Sequence, residues 1–322
     1  MKNKCAVITG VTGQDGSYLA ELLLGLGYRV VGVQRRSSAF ATQRIQYLYE
    51  NPNFETRYGD LTDAPAMYRL LDDVNPDEIY NIGAMSHVRI SFDIPEYTIQ
   101  TNTIGVLNLL EYVRRNPHIR IYQASSSEMF GVPGVKPPFN EDTPMRPQSP
   151  YGVSKLASFH LMRQYRDGYD LFATTGILFN HESPRRGENF VTKKVTKGVA
   201  RIKKGLQNKL VLGNLDAKRD WGWAPEFVLA IYLIMQYKDP GVYVVATGET
   251  HSVREFVEEA FNVVGLNWED YVKIDDKYKR PNEVPVLLGD ASKIKKHLEW
   301  DQKTNFKDIV KLMVEYDLNE IK

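Results

Sequence analysis

The stretch SPYGVSK (149–155) sets Tyr151 and Lys155 four positions apart, hence on one face of a helix. A phenol beside an ammonium, and near the positive charge of an oxidised nicotinamide, is drawn toward neutral pH as an acid/base. Tyr-x-x-x-Lys also arises by chance, so the neighbouring chemistry matters. Upstream, YQASSSEMFG (122–131) closes a strand-like run on Ser125, Ser126, Ser127 and Glu128. If the chain remains extended there, Ser126 and Glu128 project to the same side. A serine beside an acid/base tyrosine is expected to hydrogen-bond the reacting oxygen. A polar strand end and a helix-capping carboxylate are the plain alternatives.

A second constellation lies at the start of the chain. In ITGVTGQDGSYL (8–19), Gly10, Gly13 and Gly16 fall three apart between a strand-like run and a helical one. Glycines there permit a tight turn and let backbone approach a pyrophosphate at the positive end of a helix. The next strand-like run, RVVGV (29–33), is followed by Arg35 and Arg36, with Ser37 and Ser38 behind them. An acid near the end of this strand would bind the ribose 2′-hydroxyl of NAD. Arginines instead pair with a 2′-phosphate, which favours NADP over the alternative of a solvated basic loop. Asp60, after the third strand, is a candidate for the adenine edge or simply a turn residue.

These residues need a scaffold. Short β-branched runs alternate with helical patterns up to about residue 179, which argues an α/β fold with a doubly wound parallel sheet. Residues 96–115 read as one long amphipathic helix and 42–50 as a polar helix. Beyond, the regular beat is lost, although GVYVVATG (241–248) reads as a late sheet strand. The expected division is a dinucleotide-binding Rossmann domain over 1–176 and 217–249, with a smaller α/β cap over 177–216 and 250–322. With 322 residues, 43% of them hydrophobic, the chain can bury a sizeable core. Its net charge of +1 gives no global attraction to nucleic acid or a membrane surface. The apolar runs are too short for a bilayer span or a signal peptide, and no metal is expected. Cys5, the single cysteine, reads as a buried small hydrophobe and fits a reducing, cytoplasmic setting.

Together the motifs resemble the extended short-chain dehydrogenase/reductase family, and within it the GDP-mannose 4,6-dehydratase branch. The resemblance is carried by GVTGQDGSYLAELLL, RRSS, QASSSEMFG, SPYGVSK, ILFNHESPRRGENFVTKKV, LGNLDAKRDWG and RPNEVPVLLGDASK, in that order along nearly the whole chain. Two positions depart from the pattern: Ser126 stands where threonine is common, and Met85 where glutamine is common. Either hydroxyl serves, and the Met85 position can contribute backbone.

The resemblance implies dehydration of GDP-mannose through bound NADP. Tyr151 takes the O4 proton as C4 is oxidised, and Glu128 removes the proton then made acidic at C5. Glu128 also assists loss of the C6 hydroxyl, because Ser127 stands where dTDP-glucose dehydratases carry a separate acid. Ser126 and Lys155 complete the catalytic set. By the same resemblance the NADP site comprises Gly10, Val11, Thr12, Gly13, Gln14, Asp15 and Gly16 with the 35–38 cluster and Asp60. Leu61, Ile82, Gly83, Ala84, Met85, Ser86, Tyr97, Tyr151, Lys155, His181 and Arg186 join it. Asn180, Val191, Lys194, Arg219, Arg280 and Glu283 match GDP-binding positions, where cations suit a diphosphate and a carboxylate suits guanine. His87 and His251 read as structural. A homotetramer is implied, with a dimer the lesser alternative. Rival readings are a reductase or epimerase on a similar GDP-sugar, for which a C5 base such as Glu128 is superfluous, and a non-catalytic NADP sensor.

Overall fold

Strand β1 (Cys5–Thr9) shows how the sequence builds the layers: Cys5 and Val7 enter one apolar core while Ala6 and Ile8 enter another on the opposite side. A strand buried on both faces belongs inside a sheet covered twice by helices. The computed structural model, which describes residues 3–132, 134–278 and 281–321, has that arrangement. After β1 come β2 (Arg29–Gln34), β3 (Phe54–Tyr58), β4 (Glu78–Asn81), β5 (Arg120–Ser126) and β6 (Ala173–Leu178). Short strands β7 (Asn180–Glu182), β8 (Leu210–Leu212), β9 (Lys218–Arg219) and β10 (Trp221–Trp223) follow. The chain then returns to the main sheet as β11 (Val242–Val245), before β12 (His251–Ser252), β13 (Val272–Ile274) and β14 (Val286–Leu287).

The seven-stranded sheet is ordered β3-β2-β1-β4-β5-β6-β11, and all its pairs are parallel. Strand order reverses direction between β1 and β4, so a crevice opens at their carboxyl ends. Helices α1 (Gln14–Gly25), α2 (Ala64–Val74), α3 (Val88–Ser91), α4 (Pro95–Ile99), α5 (Gly105–Arg115) and α6 (Pro150–Tyr169) lie between strands in sequence. They are followed by α7 (Val191–Lys203), α8 (Ala224–Gln236), α9 (Val253–Val263), α10 (Ser292–Leu298) and α11 (Phe306–Glu320). Leu19 and Leu23 of α1 and Ile231 of α8 cover one face of the sheet; Leu71 of α2, Leu109 of α5 and Met162 of α6 cover the other. A third core joins α7, α9 and α11 around Trp221.

Within residues 217–249, α8 and β11 pack on the large sheet, whereas β9 pairs with β12 and β14. Asp220, fully buried beside them, accepts from the Thr247 N–H at 2.9 Å and hydroxyl at 2.8 Å. It also accepts from the N–H groups of Gly248 at 3.1 Å and Gly289 at 3.3 Å. One carboxylate thus joins three loops. Burial pushes its pKa up to about 6 in spite of those bonds.

Two elements differ from the sequence expectation. The polar stretch before β3 forms only a 3₁₀ turn, Gln46–Glu50. The long helix is interrupted by a π turn, Gln100–Ile104, between α4 and α5. The interruption has a polar cause: Asn102 is buried there and its side chain accepts from the Met85 N–H at 2.8 Å. Its amide donates to the Met85 carbonyl and to Ser154 Oγ, both at 3.0 Å.

Among the described residues, no helix is long and apolar enough to cross a membrane.

Candidate active site

β1 delivers Gly10 with φ +69°, a left-handed conformation that favours glycine. A Cβ there would lie 2.7 Å from Gly83 Cα at the end of β4, and one on Gly16 would lie 2.4 Å from the Gly10 carbonyl oxygen. At Gly10 and Gly16 the loop is therefore a cradle with no room for a side chain. Gly13, the N-cap of α1, supplies no side-chain cap, so the first-turn N–H groups remain for a ligand. Thr9 Oγ1 fixes the neighbouring loop by accepting from the N–H groups of Ile82 at 3.1 Å and Gly83 at 3.0 Å.

The crevice is part of a cavity of about 1130 Å³ that extends from Arg35 and Arg36 to Glu283. Of the described residues expected to hold dinucleotide or substrate, all but Val11, Ser38, Met85 and Tyr97 line it. Val11 is buried, its side chain lying where a Cβ on Gly32 would fall. Met85 exchanges backbone hydrogen bonds with Asn102, which takes up its N–H and one lone pair of its carbonyl. Tyr97 acts from behind, its hydroxyl accepting from the Arg35 guanidinium. Ser38 is exposed outside the wall. Arg36 folds back to donate to the Ser37 carbonyl. Asp60 accepts from the Thr62 N–H at 2.9 Å and hydroxyl at 2.8 Å, the turn alternative, while still facing the cavity. Arg280 lies outside the described residues.

At the other end of the sheet's crevice, β5 stops at Ser126 and the chain enters a 3₁₀ turn over Ser127–Met129. Ser126 Oγ accepts the Glu128 N–H at 3.2 Å. Extended alternation is thus not what directs Glu128 to the cavity; a serine-capped turn does so. The Glu128 carbonyl oxygen lies under α6, where a Cβ on Gly152 would meet it at 2.8 Å. α6 starts cleanly, with Ser149 Oγ accepting from the Gly152 N–H at 3.0 Å and Pro150 in the first turn. Its cavity face carries Tyr151 and Lys155, both buried.

The expected lowering of the phenol by lysine does not come from the protein itself. Lys155 Nζ donates to the Ala124 carbonyl at 2.8 Å and lies 5.9 Å from the Tyr151 ring centroid. Burial drives Tyr151 up to about 12 against the pull of the nearby Ser126 hydroxyl, and Glu128 adds to the rise. Burial also lowers Lys155 to about 8.

The opposite wall comes from the segment after β6. His181 Nε2 meets Asp15 Oδ2 at 2.9 Å, and Arg186 Nε lies 3.1 Å from Glu182 with its guanidinium 3.9 Å from the Phe190 ring centroid. Asn180 and Val191 flank that loop at β7 and the start of α7. Lys194 Nζ sits 3.9 Å from the Tyr278 ring centroid, and Arg219 Nη2 donates to Glu283 Oε1 at 2.9 Å. Other wall residues stand outside the expected site, His87 and Arg44 among them. His87, taken as structural, faces the cavity between the N–H of Ile90 and the carbonyl of Asn189, each 3.2 Å from a ring nitrogen. Its place directly after the 82–86 loop was the available signal. Arg44 donates to the Arg185 carbonyl at 2.8 Å and the Thr12 carbonyl at 3.3 Å, bridging two loops that no local pattern connects.

A family model described as GDP-mannose 4,6 dehydratase matches residues 7–313. GDP-mannose 4,6 dehydratase 2 of Arabidopsis thaliana is 53% identical over 326 residues, covering 98% of this chain and 87% of the relative. In the fold comparison, dTDP-glucose 4,6-dehydratase of Bacillus anthracis in complex with NAD has a TM-score of 0.87 at 22% identity, covering 98% of this chain and 97% of that one. RMD of Pseudomonas aeruginosa, complexed with NADPH, has a TM-score of 0.81 at 22% identity, covering 99% and 100%. At such identities these two establish the fold alone.

Proposed function

The chain belongs to the GDP-mannose 4,6-dehydratase family and is a hydro-lyase of that nucleotide sugar; from this premise we propose how its residues perform the reaction, with NADP as the bound dinucleotide. The observation that carries the reading is one cavity in which Glu128 and Tyr151 share a wall with the glycine cradle. The cradle suits a dinucleotide because Gly10, Gly83 and Gly16 leave bare backbone beside the open start of α1. Arg35, Arg36 and Ser37 at the rim suit a 2′-phosphate, which favours NADP over NAD.

When bound, the dinucleotide supplies a hydride acceptor and donor, so hydride taken from C4 of the hexose is returned to C6 with none consumed. Tyr151, with the Ser126 hydroxyl nearby, takes the O4 proton as the C4 ketone forms. The protein's own groups hold this phenol high, so the lowering that deprotonation needs falls to the cationic nicotinamide. Lys155, fixed by the Ala124 carbonyl, is placed to bond the nicotinamide ribose. Glu128 then removes the C5 proton, now α to a carbonyl, and passes it to the departing C6 hydroxyl, which leaves as water. Ser127 offers no second carboxylate, so Glu128 serves as both base and acid. A proton from solvent finally returns to C5. The product is GDP-4-dehydro-6-deoxy-D-mannose.

Asn180, Val191, Lys194, the Arg219–Glu283 pair and Arg280 complete the reading as the GDP-binding side; all but Arg219 belong to the expected smaller α/β cap, and β9, which carries Arg219, pairs with β12 and β14 of that cap. A cytoplasmic homotetramer belongs to the same reading. The test is incubation with C4-deuterated GDP-mannose and catalytic NADP⁺, followed by mass spectrometry. The expected product has lost one water and keeps its deuterium in the new methyl group; an unlabelled methyl would overturn internal transfer.

A further inference from the structure

Gln14 and Asp15 of the glycine loop meet His181 and Ser183 of β7 and its following turn, far away in sequence. Gln14, His181 and Ser183 are buried, while Asp15 is half-buried at the cavity wall. Gln14 Nε2 donates to Asp15 Oδ1 at 3.0 Å and to the His181 carbonyl at 3.1 Å, and its Oε1 accepts from Ser183 Oγ at 2.8 Å. His181 Nδ1 is 2.7 Å from the Phe179 carbonyl, and Nε2 is 2.9 Å from Asp15 Oδ2. A carbonyl accepts only, and so does an ionised carboxylate; both ring nitrogens must therefore donate, which makes His181 an imidazolium. The ring is further held flat against Phe227, with centroids 4.8 Å apart.

Asp15 occupies the first turn of α1, where the phosphates of a dinucleotide would lie. An uncompensated carboxylate there would repel them. We infer that Asp15 and His181 form a charge-paired latch: the imidazolium cancels the carboxylate's charge at the phosphate end of α1 and ties the glycine loop to β7, so dinucleotide retention weakens when His181 loses its proton. The inference rests on the dinucleotide-binding reading and makes His181 a positioning residue that acts through Asp15.

The electrostatic setting agrees. Burial works against both charges, yet the charge of His181 and its hydrogen bond hold Asp15 at about 2. His181 is lowered by burial but raised more by Asp15, for a net rise above its ordinary 6.5. The latch is thus fully present below the ordinary histidine value and is lost as pH rises through the raised one. Other groups face the pair: Arg186 from the loop after β7, Glu182 on β7, Tyr18 on α1, Tyr122 on β5 and Tyr151 on α6. These, and Lys155 with its own value of about 8, are shared by wild type and an Asp15 variant. A ratio of the two proteins therefore isolates the latch.

The test compares NADP⁺ binding to wild type and Asp15→Asn by calorimetry from about pH 6.5 to about pH 9. The wild-type dissociation constant should rise relative to the variant's by about fivefold or more across that range. A flat ratio would overturn the latch. Nitrogen-15 spectra of the imidazole, recorded without dinucleotide, give a second readout. Near neutral pH the wild type should carry protons on both His181 nitrogens, and a single protonated nitrogen would overturn the assignment. If Asp15→Asn does not fold, His181→Gln keeps the carboxylate and removes the titrating group; it should bind NADP⁺ weakly at low pH, where wild type binds well, and equal affinity would count against the latch. No NADP⁺ uptake by wild type at any pH would instead overturn the dinucleotide reading, and the positioning role with it, while the charged imidazole would still be seen in the spectra.

Discussion

Replacing the Glu128 carboxylate by an amide preserves the size of a side chain set on a capped turn, yet it leaves a group that neither takes nor gives the C5 proton. Glu128→Gln should therefore retain nucleotide-sugar and NADP⁺ binding while turnover falls about 10²- to 10⁴-fold, as measured by water loss from GDP-mannose. Turnover like wild type would remove Glu128 from the mechanism. Arg35, reached by Tyr97 from behind, is the second telling position. Arg35→Asp should shift the ratio of NADP⁺ to NAD⁺ affinity toward NAD⁺ by about tenfold or more, because a bidentate cation gives way to a like charge. An unchanged ratio would count against a 2′-phosphate at this rim. At this scale the sequence was legible wherever a side chain's placement follows from local spacing. Tyr151 and Lys155 share a helix face as their four-residue interval demands. The missing information was long-range: nothing near Lys155 announces that the Ala124 carbonyl holds its ammonium, and nothing near Arg44 announces Arg185.

Regular elements were legible where periodicity and capping agreed. Ser149 and Pro150 mark the start of α6, and Asp63 that of α2 by accepting from the Ala66 N–H at 3.0 Å. Irregular turns were not. The π turn at Gln100–Ile104 keeps the same amphipathic pattern as an uninterrupted helix, so only the buried Asn102 and its distant partners Met85 and Ser154 distinguish them. Likewise the Ser127–Met129 turn begins in residues that continue the strand's polarity, and its serine cap appears only once the chain has folded back. In both places a polar side chain buys geometry that pattern alone does not encode.

Over the whole molecule, the crevice follows from strand order: β1 and β4 are neighbours whose connections run opposite ways, and Gly10 and Gly83 touch at the divide. Asp220 acts at the same scale by drawing together the loops around Thr247, Gly248 and Gly289. Because its folded value of about 6 exceeds the ordinary 3.8, its contribution to stability is full below the ordinary value and lost as pH rises through about 6. Asp220→Asn should melt lower, with a loss of about 1–3 kcal/mol from an amide facing backbone donors. Thermal melts at a series of pH values should show the gap from wild type narrowing between those two values; a constant gap would show that Asp220 does not titrate there. A final consequence lies in the contact between the Glu128 carbonyl and Gly152. On the proposed chemistry, the main chains that carry phenol and carboxylate form one stiff anvil, so a bulkier residue at 152 would push the two apart and spoil both steps at once.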